Sequence, residues 1–180
     1  MFAKYYALDY PDSFKLNTRL HNTIRGNVIT QTQGGAYRTD FDLHNKELKD
    51  VDILLNWIRD IIPIIALQFV SGGEDKVEDD SQLGFEMSGF HIASCWGIHY
   101  DKELRVTRHN HFPYTLSFCY CVSAPQGSSP LLIEGEEIDS VPGRIVFFLP
   151  HQYHGTRSSK VDGRSMIAVS YTHLTLPTNR

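Results

Sequence analysis

Two histidines with a single residue between them, His109 and His111, are where chemistry could sit in this chain. A third, His154, follows 43 residues after His111, and Arg164 stands ten residues beyond that. On an extended strand, side chains at i and i+2 point to the same face, so His109 and His111 converge on one point. A neutral imidazole is the commonest transition-metal ligand, and three side chains on one face of an ion leave positions open for reactants. The run from 141 to 150 reads as a turn, a buried apolar strand and a proline stop, which delivers His154 to the rim of a barrel interior. His151 competes for the same role, and His154 is preferred. Arg164 opens an apolar strand, where a guanidinium facing inward is costly unless an anion meets it. Its planar fork pairs bidentately with a carboxylate. The pattern reads as a mononuclear metal site with a carboxylate anchor beside it. The remaining histidines, His21, His44, His91, His99 and His173, read as ordinary surface or core residues.

The elements that must hold such a site are mostly strands. The chain has 180 residues, 41% of them hydrophobic and 12% aromatic, enough for one domain with a real core. A net charge of −4 gives no electrostatic case for nucleic acid or an anionic membrane. The longest apolar run, 61–70, is short and broken by Pro63 and Gln68, and the N-terminus has no apolar signal core, so a cytoplasmic setting is expected. Cys95, Cys119 and Cys121 are odd in number and lack zinc-finger spacing, and read as reduced core thiols.

Residues 1–20 read as an edge strand or loop, with a turn at Pro11 and Asp12. Residues 23–42 suggest a strand, a turn at Gly34-Gly35 and a short return strand. Residues 45–62 carry a helical stripe of Leu48, Val51, Leu54, Leu55, Ile58, Ile61 and Ile62, with Asn45 as cap and Pro63 as a stop or kink. This helix is expected to pack on the outside of a sheet. The acidic run 71–81 reads as a solvated loop. From residue 89 on the chain reads as β, with strands at 90–100, 116–122, 131–133, 144–149 and 165–170 and turns rich in Pro, Gly, Ser and Asp. That argues a mainly β jelly-roll barrel with an N-terminal helix, a single domain over 1–170. Residues 171–180 fit poorly and read as a tail foreign to the domain, not needed to close the barrel.

Residues 94–170 resemble the Fe(II)/2-oxoglutarate-dependent oxygenase superfamily. The nearest group is the small phage-type oxygenases related to the prolyl-hydroxylase-like branch. The resemblance is carried by Cys95-Trp96-Gly97, Tyr100, His109-Asn110-His111, the strand from Leu116 to Tyr120, Gly127 to Leu131, the segment from Pro142 to His154, and Gly163-Arg164-Ser165. It implies a double-stranded β-helix with His109, His111 and His154 as iron ligands and Arg164 as partner of the distal carboxylate of 2-oxoglutarate. It also implies Tyr100 near the co-substrate, with Ser117 on a strand face that lines the pocket. The implied reaction consumes 2-oxoglutarate and oxygen, hydroxylates an unidentified prime substrate and releases succinate and CO2. The chain departs from the superfamily at His111, where most members carry Asp or Glu. Two alternatives stand beside this reading. One is a cupin-type enzyme with a three-histidine site, although Tyr114, Thr115 and Leu116 stand where the cupin glutamate belongs. The other is a non-catalytic jelly-roll binding module.

Overall fold

The computed structural model describes residues 5–11, 13–71 and 89–173. In chain order these form β1 (Tyr5–Asp9), α1 (Ser13–Gly26), β2 (Thr30–Gln31), β3 (Tyr37–Arg38), a 3-10 turn (Leu43–Asn45), α2 (Lys49–Ser71), β4 (Phe90–Tyr100), β5 (Leu116–Ser123), β6 (Leu131–Ile133), β7 (Glu136–Ile138), β8 (Arg144–Phe148), β9 (His154–Thr156) and β10 (Arg164–His173). Seven strands make one sheet in the order β1-β8-β5-β10-β4-β3-β2, and three make a second in the order β7-β6-β9. All the strand pairings are antiparallel. This is the jelly-roll architecture expected from the short strands and frequent turns.

The large sheet is buried on both faces, and strand alternation sorts its side chains between two cores. Phe118, Tyr120 and Val122 of β5, with Ile167, Val169 and Tyr171 of β10, join Leu16, Leu20 and Ile24 of α1 and the apolar stripe of α2. The intervening positions face inward. There Trp96, Ile98, Tyr100, Cys119, Phe148, Met166 and Ala168 pack against Leu131, Ile133 and Ile138 of the small sheet. The inward set of β10 is therefore Arg164, Met166, Ala168 and Ser170, and that of β5 includes Ser117 and Cys119. All three cysteines are buried free thiols. Burial pushes Cys95 and Cys119 up to about 12 and Cys121 up to about 11, so they stay protonated core groups.

Several boundaries differ from the sequence expectation. The helix expected over 45–62 begins at Lys49 and runs through Pro63 to Ser71. Asn45 belongs to the preceding 3-10 turn instead. A proline inside a helix costs about 3 kcal/mol. Ile62 and Ile65 on either side are both 1% exposed, and burial of each contributes about 1.5–3 kcal/mol, which outweighs that cost. Within 1–20, β1 is indeed an edge strand, but α1 was not expected. Its buried stripe (Leu16, Leu20, Ile24) is narrow, set among polar residues and next to a fully presented Phe14, so its helical period is weak. Residues 23–26 accordingly end a helix, while β2 and β3 pair across Gly34 and Gly35, whose φ values are +109° and +90°. β7 (Glu-Glu-Ile) and β9 (His-Gly-Thr) were missed because they are short and largely without apolar residues, unlike the equally short Leu-Leu-Ile of β6. β10 continues to His173, with Tyr171 buried and paired to Leu116 and Ile92. Residues 171–173 thus belong to the barrel, contrary to the expected tail. The acidic run beyond Ser71 and residues 174–180 lie outside the described residues. Among the described residues no helix is long and apolar enough to cross a membrane.

Helix α1 is seated on the sheet through Gly97, where a Cβ would lie 2.6 Å from Ile24 Cγ1. Gly97→Ala should lower stability by about 1–3 kcal/mol through overpacking. A urea midpoint unchanged from wild type would show that α1 is free to shift.

Candidate metal centre

His109 and His111 do not lie on a regular strand. They occupy an extended segment tied to β9 by one isolated antiparallel bridge between His109 and His154. The His109 N–H donates to the His154 carbonyl at 2.9 Å, and the His154 N–H donates back at 2.8 Å. The His111 N–H donates to the Pro150 carbonyl at 2.7 Å, fixing the second histidine to the turn after β8. Bridge partners present side chains to the same face, so three rings meet: centroids lie 4.3 Å apart for His109–His154, 4.6 Å for His111–His154 and 5.1 Å for His109–His111.

All three rings are anchored through Nδ1. The His109 Nδ1–H donates to the Thr107 carbonyl at 2.9 Å, and the His154 Nδ1–H donates to the Gln152 carbonyl at 3.2 Å. A carbonyl can only accept, so both rings carry their proton on Nδ1 and offer a lone pair at Nε2. His111 Nδ1 lies against serine hydroxyls. The Nε2 atoms of His109 and His111 are 3.1 Å apart, and the potential ligand atoms of all three residues lie within 4.8 Å of one another. Two nitrogens about 2.1 Å from one ion and at right angles stand about 3 Å apart, so the spacing suits a shared metal. Burial, reinforced by His109, pushes His111 down to about 4. Burial, then His111 and His109, holds His154 well below its ordinary value. These two rings are therefore neutral at neutral pH, as ligation requires. Trp96 packs 5.3 Å from His111 and Phe148 packs 4.4 Å from His154, giving the centre apolar walls. No Asp or Glu joins this cluster among the described residues.

Arg164 is the second feature. It is 0% exposed, with its guanidinium carbon 4.4 Å above the Tyr100 ring. Nε and Nη2 donate to Ser140 Oγ at 3.3 and 3.1 Å, and Nη1 is buried with no partner. Among the described residues no carboxylate pairs with this guanidinium, whose planar fork is of the kind that takes a carboxylate bidentately. Burial raises the Tyr100 phenol above its ordinary range, so it stays a neutral donor. A slot of about 20 Å³ is lined by His109, His154, Tyr100, Thr156, Cys119 and Met166 among others, so it reaches from the histidines to the ring beneath Arg164. That is room for about one water. A five-carbon diacid enters it only if lining side chains move, and Met166, unbranched and adaptable, is the natural one to do so. Beside it, a groove of about 640 Å³ opens onto His109 and His111, with Phe41, Trp96, Phe112 and Tyr114 among its walls.

The structure therefore brings His109, His111 and His154 together and sets Tyr100 under Arg164. His151 is exposed and outside the cluster. Ser117 faces inward as expected, but behind His111, with its Oγ 3.1 Å from Nδ1, and not along the slot. Its hydroxyl also meets Ser170 Oγ at 3.2 Å, so it sits behind the His111 ring. Sequence reasoning missed Ser170, Ser140 and the carbonyls of Thr107 and Gln152. Ser170 was legible in principle, since it shares the alternation of Arg164, Met166 and Ala168. The others depend on loop paths that carry no periodic signal.

No family model matches the chain, and no curated protein does. Solved structures do. A prolyl-4-hydroxylase from Pseudomonas putida superposes with a TM-score of 0.69 at 12% identity, covering 96% of this chain and 94% of its own. The viral collagen prolyl hydroxylase of Paramecium Bursaria Chlorella virus-1, in its 2-oxoglutarate complex, gives 0.68 at 12% identity, covering 96% and 97%. The Fe-bound EctD of S. alaskensis gives 0.64 at 13% identity, covering 98% and 77%. The fold of this chain is thus the double-stranded β-helix seen in these oxygenases.

If the cluster is a metal centre, His154→Ala should abolish stoichiometric Co(II) binding, while His151→Ala should bind as wild type. Equal metal content in wild type and His154→Ala would remove His154 from the ligand set.

Proposed function

We propose that this chain is an Fe(II)- and 2-oxoglutarate-dependent dioxygenase that hydroxylates a prime substrate and releases succinate and CO2. The observation that carries this reading is the pairing of three convergent histidines with a fully buried guanidinium that has one nitrogen unpartnered. A metal site alone is compatible with many chemistries. A buried arginine stacked on Tyr100, which lines a slot that also meets two of the histidines, suits a co-substrate that chelates at one end and carries a carboxylate at the other. The fold shared with the prolyl hydroxylases supports the same reading.

In this proposal His109, His111 and His154 hold the ion through Nε2 and occupy one face of it. Ferrous iron with 2-oxoglutarate supplies oxygen activation when bound, and the protein supplies orientation and exclusion of water. Arg164 fixes the far carboxylate with Nη1 and Nη2, and Ser140 yields or shares its hydrogen bonds. Tyr100 supports the guanidinium from below and presents its phenol to the slot. The aromatic groove positions the prime substrate on the side of the ion that His109 and His111 face. Three neutral imidazoles leave the charge of the ion uncompensated by protein. Two carboxylates from the co-substrate then balance charge that an Asp or Glu ligand would otherwise meet in part. Oxygen and 2-oxoglutarate are the partners implied, and the chain's neutral ligand set makes the diacid the principal counter-charge.

Adding Fe(II) and then 2-oxoglutarate without oxygen should give a weak visible charge-transfer band. Arg164→Ala should keep iron but weaken 2-oxoglutarate binding by at least tenfold, the loss of one charge-assisted pair in a buried site. Bound iron with no band in wild type would favour the three-histidine cupin-type reading. Absence of stoichiometric metal would favour a non-catalytic module.

A further inference from the structure

The three rings differ in what holds them. His109 and His154 each rest on a backbone carbonyl, whereas His111 rests on two hydroxyls. Ser170 Oγ lies 2.8 Å from His111 Nδ1, Ser117 Oγ lies 3.1 Å from it, and the two hydroxyls are 3.2 Å apart. The two serines are register partners on β10 and β5, so their side chains emerge side by side on the inward face. Both are 0% exposed. Neither contributes to the apolar core around it, and two hydroxyls there are costly unless they are satisfied. His111 satisfies them and they satisfy it.

We infer that Ser117 and Ser170 form a two-hydroxyl cradle that positions His111 as a ligand, and that the site accepts histidine at this position because of it. The inference rests on the metal-centre reading. The backbone of His111 is held at both ends, its N–H on the Pro150 carbonyl and its carbonyl on the Tyr114 N–H, but those bonds do not set the rotation of the ring. Trp96 limits the ring from one side, at 5.3 Å, but an apolar contact does not choose which nitrogen faces the ion. The serine pair does. With Nε2 on the metal, Nδ1 carries the proton and donates to one hydroxyl, which in turn donates to the other. An aspartate at 111 could accept from the hydroxyls with an oxygen where Nδ1 stands, but neither of its oxygens would reach as far as Nε2 does. The cradle is neutral, like the carbonyls behind the other two rings, so no acidic group lowers the charge of the ion from behind. Ser117 and Ser170 are positioning residues: they act through His111.

The test compares Co(II) binding and the visible ligand-field spectrum in wild type, Ser117→Ala, Ser170→Ala, the double alanine variant, Ser170→Thr and His154→Ala. Support behind a ligating histidine is typically worth about 10–100-fold in metal affinity. Each single alanine variant should weaken Co(II) toward the lower end of that range, and the double variant toward the upper end, with a changed spectrum. Ser170→Thr, which keeps the hydroxyl, should restore affinity and spectrum. Thermal midpoints report whether each variant is folded. If the double variant binds Co(II) as wild type does, with the same spectrum, the cradle has no positioning role and the inference is overturned. If threonine fails to rescue in a folded protein, the effect is packing and not the hydroxyl, and the inference is again overturned. If wild type itself binds no Co(II), or His154→Ala binds it equally, the metal-centre reading fails instead.

Discussion

A guanidinium with no exposed surface and one nitrogen without a partner is the constraint around which the interior is arranged. Arg164 opens β10, the strand that pairs with both β4 and β5 at the centre of the large sheet. Its register partner on β4 is Tyr100, and that pairing puts a phenol ring under the charge. The guanidinium donates to the neutral hydroxyl of Ser140. Such a group destabilises the empty interior and is worth retaining only if an anion meets it. Met166 and Ala168, next on the same face, keep the path toward the histidines apolar.

The same strand serves the other end of the site. Alternation places Ser170 on the inward face six residues from Arg164, about 20 Å along the strand. There it meets Ser117 of β5 and the ring of His111. One strand thus carries the buried guanidinium at its start and the hydroxyl that meets His111 near its end. The two halves of the site share a rigid element in the middle of a sheet buried on both faces. A site built on such an element holds its geometry better than one built on loops. The aromatic groove and the slot adjoin, with Trp96, Ile98, Val106 and His109 in both linings.

Much of this was legible in the chain. The i, i+2 spacing of His109 and His111 and the apolar run ahead of His154 identified the cluster. An arginine opening an apolar strand pointed to the buried guanidinium. The strands from residue 90 on were legible because they are long or strictly apolar. What was not legible has physical causes. Helix α1 has a narrow apolar stripe and was taken for strand or loop. Helix α2 ran past Pro63 because buried isoleucines on either side outweigh one lost hydrogen bond. His109 and His111 face one way through a single bridge to β9, not through a strand of their own, so alternation gave the right outcome from the wrong element. Ser117 was assigned to the co-substrate side because the path of the segment from His111 to Leu116 cannot be read from local sequence. The turn there ties the Tyr114 N–H to the His111 carbonyl at 3.0 Å and brings the ring back over β5.

The central claim is that the three Nε2 atoms and Arg164 hold one metal and one diacid between them. Crystals grown without oxygen in the presence of Mn(II) and 2-oxoglutarate test it most directly, read by the anomalous signal of the metal. The account predicts a single peak at coordination distance from Nε2 of His109, His111 and His154, with the far carboxylate of the diacid on Nη1 and Nη2 of Arg164 and Met166 moved aside. A metal peak away from the three rings, or a diacid that leaves Arg164 unpaired, would contradict it.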